Sequence, residues 1–206
     1  MMIFLIINKI YRCKLNEVSR VLKSLERMAK NKFIPSIGPI KGEIIAKIIK
    51  KYKPTNILEI GTLYGYSAIL MAEMLPEDGK LITIEVNKLI ADIARKNIAD
   101  AGLLDKKIDV IVANALEIIP NLDWKFDLLF LDASKDEYLK YLKLSEEKLN
   151  RGSVIIADNV EVSKDEMLDY LDYVRNYKIY KSRTIETTLE YTPNVKDAIE
   201  VSIKGA

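Results

Sequence analysis

Residues 130 to 138 read FLDASKDEY, an apolar run that ends in Asp132 and sets Lys135 three positions on, beside Asp136. A second run, IIADN, ends in Asp158 and Asn159. Further runs carry Glu59 just ahead of Gly61, Glu85 at the end of LITIE, and Asn114 after KIDVIVA. Acids at such ends can cap the helices that follow. Acids at most ends of one sheet instead suggest a ligand with hydroxyls or cations. Lys135 also has two readings. As a surface charge paired with Asp136 it is worth little; held against a carboxylate it could move a proton. The chain has no histidine. A general base must therefore be Lys, Asp, Glu or Tyr, and a protein-held metal must take mainly oxygen ligands, which favours a hard cation such as Mg²⁺.

These residues need elements that bring them to one place. Residues 15 to 31 and 39 to 51 carry apolar side chains at helical spacing, Leu15, Val18, Val21, Leu22 and Leu25, then Ile40, Ile44, Ile45 and Ile48, with the break IPSIGP between them. After these two leading helices the runs NILEIG, KLITIEV, KIDVIVA, FDLLFLD and GSVIIAD are each followed by ten or more residues of helical pattern. That alternation predicts a parallel sheet covered on both faces. The tail differs: KIYKSRTIETTLEY and KDAIEVSIKGA are extended, β-branched, and separated by the turn-like TPN. The expected fold is α/β, a Rossmann-like doubly wound, mostly parallel sheet with a C-terminal antiparallel hairpin and two leading helices. Ligands of such sheets bind beyond the carboxyl ends of the strands, at the topological switch point.

With 206 residues, 49% of them hydrophobic, the chain suits one core, residues 1–33 forming an N-terminal segment and helix of the same domain as 34–206. A net charge of +2 is too mild to imply a nucleic-acid or anionic-membrane partner. The single Cys13 gives no intrachain disulfide and fits a reducing, cytoplasmic setting. Glutamine is absent while Lys, Glu and Ile abound, a bias that heat adaptation or AT-rich codon usage would produce. MMIFLIINKIYR is apolar but shorter than a membrane span, so it reads as a packed or frayed terminal segment with no membrane role.

In LEIGTLYGYS, Gly61 follows the first strand and Gly65 opens the next helix, where glycine permits a tight turn and free N–H groups can meet an anion. Leu63 occupies the middle glycine position of the dinucleotide pattern, so a carboxylate fits better than a pyrophosphate. Glu85, one strand on, is placed to accept both hydroxyls of a ribose. A ribose-bearing cofactor with an amino-acid tail is S-adenosylmethionine.

At these motifs the chain resembles the metal-dependent O-methyltransferases of the catechol and caffeoyl-CoA O-methyltransferase superfamily, class I S-adenosylmethionine enzymes. The resemblance runs from about Ile34 to the C-terminus through IPSIGPIKGEI, LEIGTLYGYSA, LITIEVN, FLDASKDEY, IIADNV and IEVSIKGA. It implies that Asp132, Asp158 and Asn159 hold the metal, an all-oxygen set suited to Mg²⁺. It further implies Lys135 as catalytic base, Glu85 at the ribose, Ser67 at the methionine carboxylate, and Asn114 and Ala115 beside the adenine. Ile37 would meet the cofactor through its backbone, Gly61 would lie against it, and Glu59 and Asp132 would help place the methionine end. A dication near Lys135 would favour the neutral amine, which can take a phenolic proton.

The resemblance also has departures. Ala133 and Ser134 stand where a catechol enzyme has His-Trp, which opens the pocket, and Pro35 replaces a substrate-side methionine. Glu190 matches a glutamate that orients the second hydroxyl of a catechol, although a cross-strand salt bridge is an equal reading. Lys135, Asn159 and Glu190 would then face the substrate. The implied reaction moves the methyl group of S-adenosylmethionine to a metal-chelated hydroxyl of a catechol-like or related small molecule. An alternative acceptor is a 5-hydroxyuridine of tRNA, flipped into the open pocket. A nicotinamide-dependent dehydrogenase is a remote third reading, disfavoured by Leu63. The apolar leading helices and the edge hairpin are candidate surfaces of a homodimer.

Overall fold

The computed structural model describes residues 2–104, 107–176 and 178–205, with side chains from Glu17 onward. Its elements are α1 (Met2–Lys32), α2 (Gly38–Tyr52), β1 (Asn56–Ile60), α3 (Tyr66–Glu73), β2 (Lys80–Glu85), α4 (Lys88–Asp100) and β3 (Ile108–Val112). Then come α5 (Ala115–Ile118), β4 (Phe126–Leu131), α6 (Tyr138–Ser145), β5 (Leu149–Ala157), α7 (Leu168–Asn176), β6 (Tyr180–Leu189) and β7 (Thr192–Lys204). The strands form one seven-stranded sheet in the order β3-β2-β1-β4-β5-β7-β6. The first five run parallel to one another, whereas β7 runs antiparallel to β5 and β6. The expected doubly wound sheet with its antiparallel C-terminal hairpin is therefore present.

Strand side chains alternate between two cores, because successive residues point to opposite faces. Ile57, Leu128, Phe130, Val154 and Ile156 pack under α1 to α4, and Val18, Val21 and Leu25 of α1 share that core. Leu58, Ile60, Leu129, Leu131 and Ile155 pack against α6 and α7 on the other side. Hydrophobic runs buried on both faces explain why the central strands lack a polar side. The N-terminal apolar segment is helical backbone from Met2, but its side chains, with Cys13, lie outside the described residues. Among the described residues no helix is long and apolar enough to cross a membrane.

Two expectations need correction. The helix after β3 is only four residues long, because Pro120 lacks an N–H and converts the continuation into a 3₁₀ turn. The hairpin does not turn at TPN: Leu189 pairs with Thr192, so Glu190 and Tyr191 make the turn, with Tyr191 at φ 60°. Residues 193 to 195 bulge out between the pairs Thr188–Lys196 and Leu189–Thr192. A bulge is where a strand tolerates Pro193, which cannot donate to the ladder.

The strand order reverses between β1 and β4, whose neighbours β2 and β5 lie on opposite sides. The loops after β1 and β4 therefore diverge and leave a crevice above the sheet.

Candidate active site

A cleft of about 550 Å³ occupies that crevice. Its walls include Gly61 to Tyr64 after β1, Glu85 after β2, Asn114 and Ala115 after β3, and Asp132 to Lys135 after β4. Ile37 and Ser67 also line it. Gly61 adopts φ 99°, and a Cβ there would come within 2.1 Å of the Asp132 carbonyl oxygen. The loop after β1 thus needs glycine first to approach the loop after β4, before any ligand is considered. Leu63 takes a left-handed φ of 47°, so its backbone bends as a glycine would although its side chain remains. Its N–H donates to Glu85 Oε2 at 3.0 Å, and Asn87 N–H donates to Glu85 Oε1 at 3.0 Å. The carboxylate is fixed by backbone on both oxygens while it still faces the cleft.

Ser67 is buried in the first turn of α3, where the helix offers N–H groups to an anion. Asn114 spends its Oδ1 capping α5, accepting from Leu116 N–H at 3.0 Å, and Ala115 behind it is buried. Glu59 is set apart. It is fully buried beneath the loop, outside the cleft wall, beside the Ser67 and Thr83 hydroxyls but without a well-formed hydrogen bond on either oxygen. Burial pushes its carboxyl up to about 8.

A smaller recess of about 230 Å³ opens beside the cleft and shares Asp132, Asn159 and the Ile34 to Ser36 segment with it. Asp158, Glu190 and Lys41 complete its charged lining. Lys135 turns away from the exposed Asp136. Its Nζ donates to Asp132 Oδ1 at 2.9 Å and to the buried Tyr138 hydroxyl at 2.7 Å, and that hydroxyl donates to the Leu131 carbonyl at 2.9 Å. The surface-pair reading of Lys135 is thereby overturned, because the 3₁₀ turn at Lys135–Glu137 carries the amine back over the end of β4.

Asp158 is buried at the end of β5, and burial, with the Asp132 charge next to it, pushes its carboxyl up to about 6 against the pull of Lys41. Lys41 lies 2.7 Å from Asp158 Oδ1, at an angle poor for a hydrogen bond, and donates to Asp197 Oδ2 at 2.6 Å. Burial opposes the Lys41 charge, but Asp158 and Asp197 together hold the ammonium above the usual lysine range. Asn159, at φ 60°, donates from Nδ2 to the same Asp197 oxygen at 2.9 Å. Glu190 sits in the hairpin turn, its chain against Gly38, where a Cβ would come within 2.3 Å of Glu190 Cδ. Glu190 Oε2 is buried without a hydrogen-bond partner, and among the described residues no ion pair holds this carboxylate.

Lys41 and Asp197 were not anticipated. The only hints are a lysine inside the apolar pattern of GPIKGEII and an aspartate heading a β-branched strand. Among the described residues no three His, Cys, Asp or Glu side chains gather as a metal-ligand set. The expected set depends on an amide instead, and the donor chemistry fits: Asp132 and Asp158 supply carboxylates, while Asn159, its nitrogen engaged by Asp197, presents its amide oxygen elsewhere. The unpartnered Glu190 oxygen adds acid to a recess already rich in it. All-oxygen donors of this kind suit a hard divalent cation.

Known proteins resemble this chain along most of its length. Residues 14–186 match the model of the O-methyltransferase family. The chain is 39% identical to catechol O-methyltransferase B of Danio rerio over 175 residues, 82% of this chain and 65% of that protein. It is 35% identical to catechol O-methyltransferase of Mus musculus over 191 residues, 89% of this chain and 71% of that one. It thus spans about two thirds of the length of these relatives. The solved structure of an O-methyltransferase from Bacillus cereus in complex with SAH superposes with a TM-score of 0.79 at 26% identity, covering 92% of this chain and 90% of that one. On the strength of a family match across most of its length and of two such relatives, the chain belongs to the O-methyltransferase family.

Proposed function

We propose that this protein is an S-adenosylmethionine-dependent O-methyltransferase acting on one hydroxyl of a catechol-like small molecule, with a hard divalent cation at Asp132, Asp158 and Asn159. The observation that carries the reading is the junction at Asp132, which lines both the cofactor-sized cleft and the acid-lined recess. A donor in one and an acceptor in the other would meet there, and holding two reactants in register lowers the barrier steeply.

S-adenosylmethionine supplies the methyl group as a sulfonium, and the cation makes the acceptor hydroxyl more acidic. The chain does the rest. Glu85, fixed by Leu63 and Asn87 N–H groups, accepts from the ribose hydroxyls. Ser67 and the N-terminus of α3 receive the methionine carboxylate, and Ile37, Gly61, Asn114 and Ala115 wall the cofactor in. Glu59 acts from beneath as packing for that loop. Lys135 Nζ, steered by Asp132 and Tyr138, takes the proton of the acceptor hydroxyl. Glu190 orients the neighbouring hydroxyl through its free oxygen, and Pro35, Leu189 and Tyr191 supply apolar edges for a ring. A cytoplasmic setting agrees with a single cysteine.

The test is incubation with S-adenosylmethionine and Mg²⁺ against a catechol, the matching monophenol and tRNA, read by mass spectrometry. Methylation of the catechol alone is expected. Methylated tRNA with an untouched catechol would replace this reading by RNA modification.

A further inference from the structure

Asp197 lies where the antiparallel β7 passes the end of β5, a position that a parallel strand's first residues would not reach. It is nearly inaccessible, at 2% exposure, and accepts three hydrogen bonds, two of them from residues of the recess wall. Its Oδ2 accepts from Lys41 Nζ at 2.6 Å and from Asn159 Nδ2 at 2.9 Å, and its Oδ1 accepts from Val162 N–H at 3.2 Å. An amide has one donor end and one acceptor end. With Nδ2 committed to a carboxylate, the Asn159 oxygen must point the other way, into the space that Asp132 and Asp158 also line. Lys41 extends the frame, joining Asp197 to Asp158 Oδ1 at 2.7 Å. One buried residue thus reaches both members of the Asp158–Asn159 pair, one directly and one through Lys41.

We propose that Asp197 is a positioning residue of the cation site, which fixes the Asn159 amide oxygen and, through Lys41, the Asp158 carboxylate in ligating orientation. The inference rests on the reading that Asp132, Asp158 and Asn159 hold a divalent cation. Partners one layer behind metal ligands set ligand orientation, and their loss commonly weakens metal binding by about 10- to 100-fold. If Asp197 works this way, part of its effect must pass through Asn159 and the rest through Lys41 and Asp158, and it must leave the cofactor cleft untouched.

The experiment is a double-mutant cycle on Mn²⁺ affinity, read by electron paramagnetic resonance without acceptor, using Asp197→Ala, Asn159→Ala and the double variant. Calorimetric S-adenosylmethionine affinity serves as the control. Asp197→Ala should weaken Mn²⁺ by roughly tenfold or more at unchanged cofactor affinity, and saturating metal should recover most of the rate. In the Asn159→Ala background the same change should cost less, because the amide it orients is gone and only the branch through Lys41 to Asp158 remains. Asp197→Asn, which keeps the volume, should shift Mn²⁺ affinity the same way if the alanine variant unfolds. Unchanged Mn²⁺ affinity in a folded Asp197 variant, or fully additive losses, would overturn the proposal. Failure of the parent reading looks different: the unmodified protein would not bind Mn²⁺, or Asn159→Ala would bind it normally, and either removes the proposal too.

Discussion

At the ends of β1 to β3, the groups that face the cleft are backbone N–H groups and polar side chains already tied to backbone, as Glu85 is to Leu63 and Asn87. Past β4 and β5 and within β7, charged side chains hold one another: Lys135 on Asp132, and Lys41 between Asp158 and Asp197. The two regions touch at Asp132 yet are stabilised differently. A backbone-built site tolerates loss of a side chain with a local cost. A buried ion network does not, since removing one member strands the others in a low-dielectric interior.

The contrast is sharpest at Lys41. Lys41→Met leaves Asp158 and Asp197 without their shared cation and should destabilise the protein by about 3 to 5 kcal/mol in urea unfolding. A change below about 1 kcal/mol would mean that the network is not what holds this region.

Glu59 tests the other region through pH. Its folded carboxyl is raised to about 8, above the ordinary value of 4.5, by burial. The protonated form is therefore the one that folding favours. Its contribution is fully present below pH 4.5 and is lost as pH rises through 8. Glu59→Gln should match the parent in acid and exceed it by a few kcal/mol near pH 9. Parallel stability curves across that range would show the Glu59 site to be wetter than its burial implies.

Lys135→Met should cut the methyl-transfer rate by roughly 10²-fold with cofactor affinity intact, and raising pH should recover part of the loss as the acceptor ionises unaided. A rate that stays high would return the proton transfer to another group. Glu85→Ala is expected to be mildest, weakening S-adenosylmethionine binding by about 1 to 3 kcal/mol with the fold unchanged, as calorimetry would read.

The two regions were not equally legible in the sequence. The cleft is written in short local motifs: a strand, a glycine turn, a helix start, and an acid one strand later. Local signals place such parts, with two changes: Gly61 meets the Asp132 carbonyl before any ligand, and Glu59, expected at the methionine end, lies beneath the loop outside the cleft wall. Asp132, Lys135, Asp158 and Asn159 were also visible, because each ends or follows an apolar run. Lys41 and Asp197 were not, since they are 156 positions apart and meet only through the antiparallel insertion of β7. The hairpin turn moved for a related reason. Pro193 marks a break in the ladder, and a bulge and a turn look alike until the pairing of Leu189 with Thr192 is known.

The separation of the two regions is tested most directly by metal removal. S-adenosylmethionine is titrated calorimetrically into the protein with excess EDTA and with Mg²⁺, and methyl transfer to a catechol is measured under the same two conditions. Equal cofactor affinities are expected and, in EDTA, a rate no higher than without enzyme. Full transfer in EDTA, or cofactor affinity that collapses with the metal, would contradict that separation.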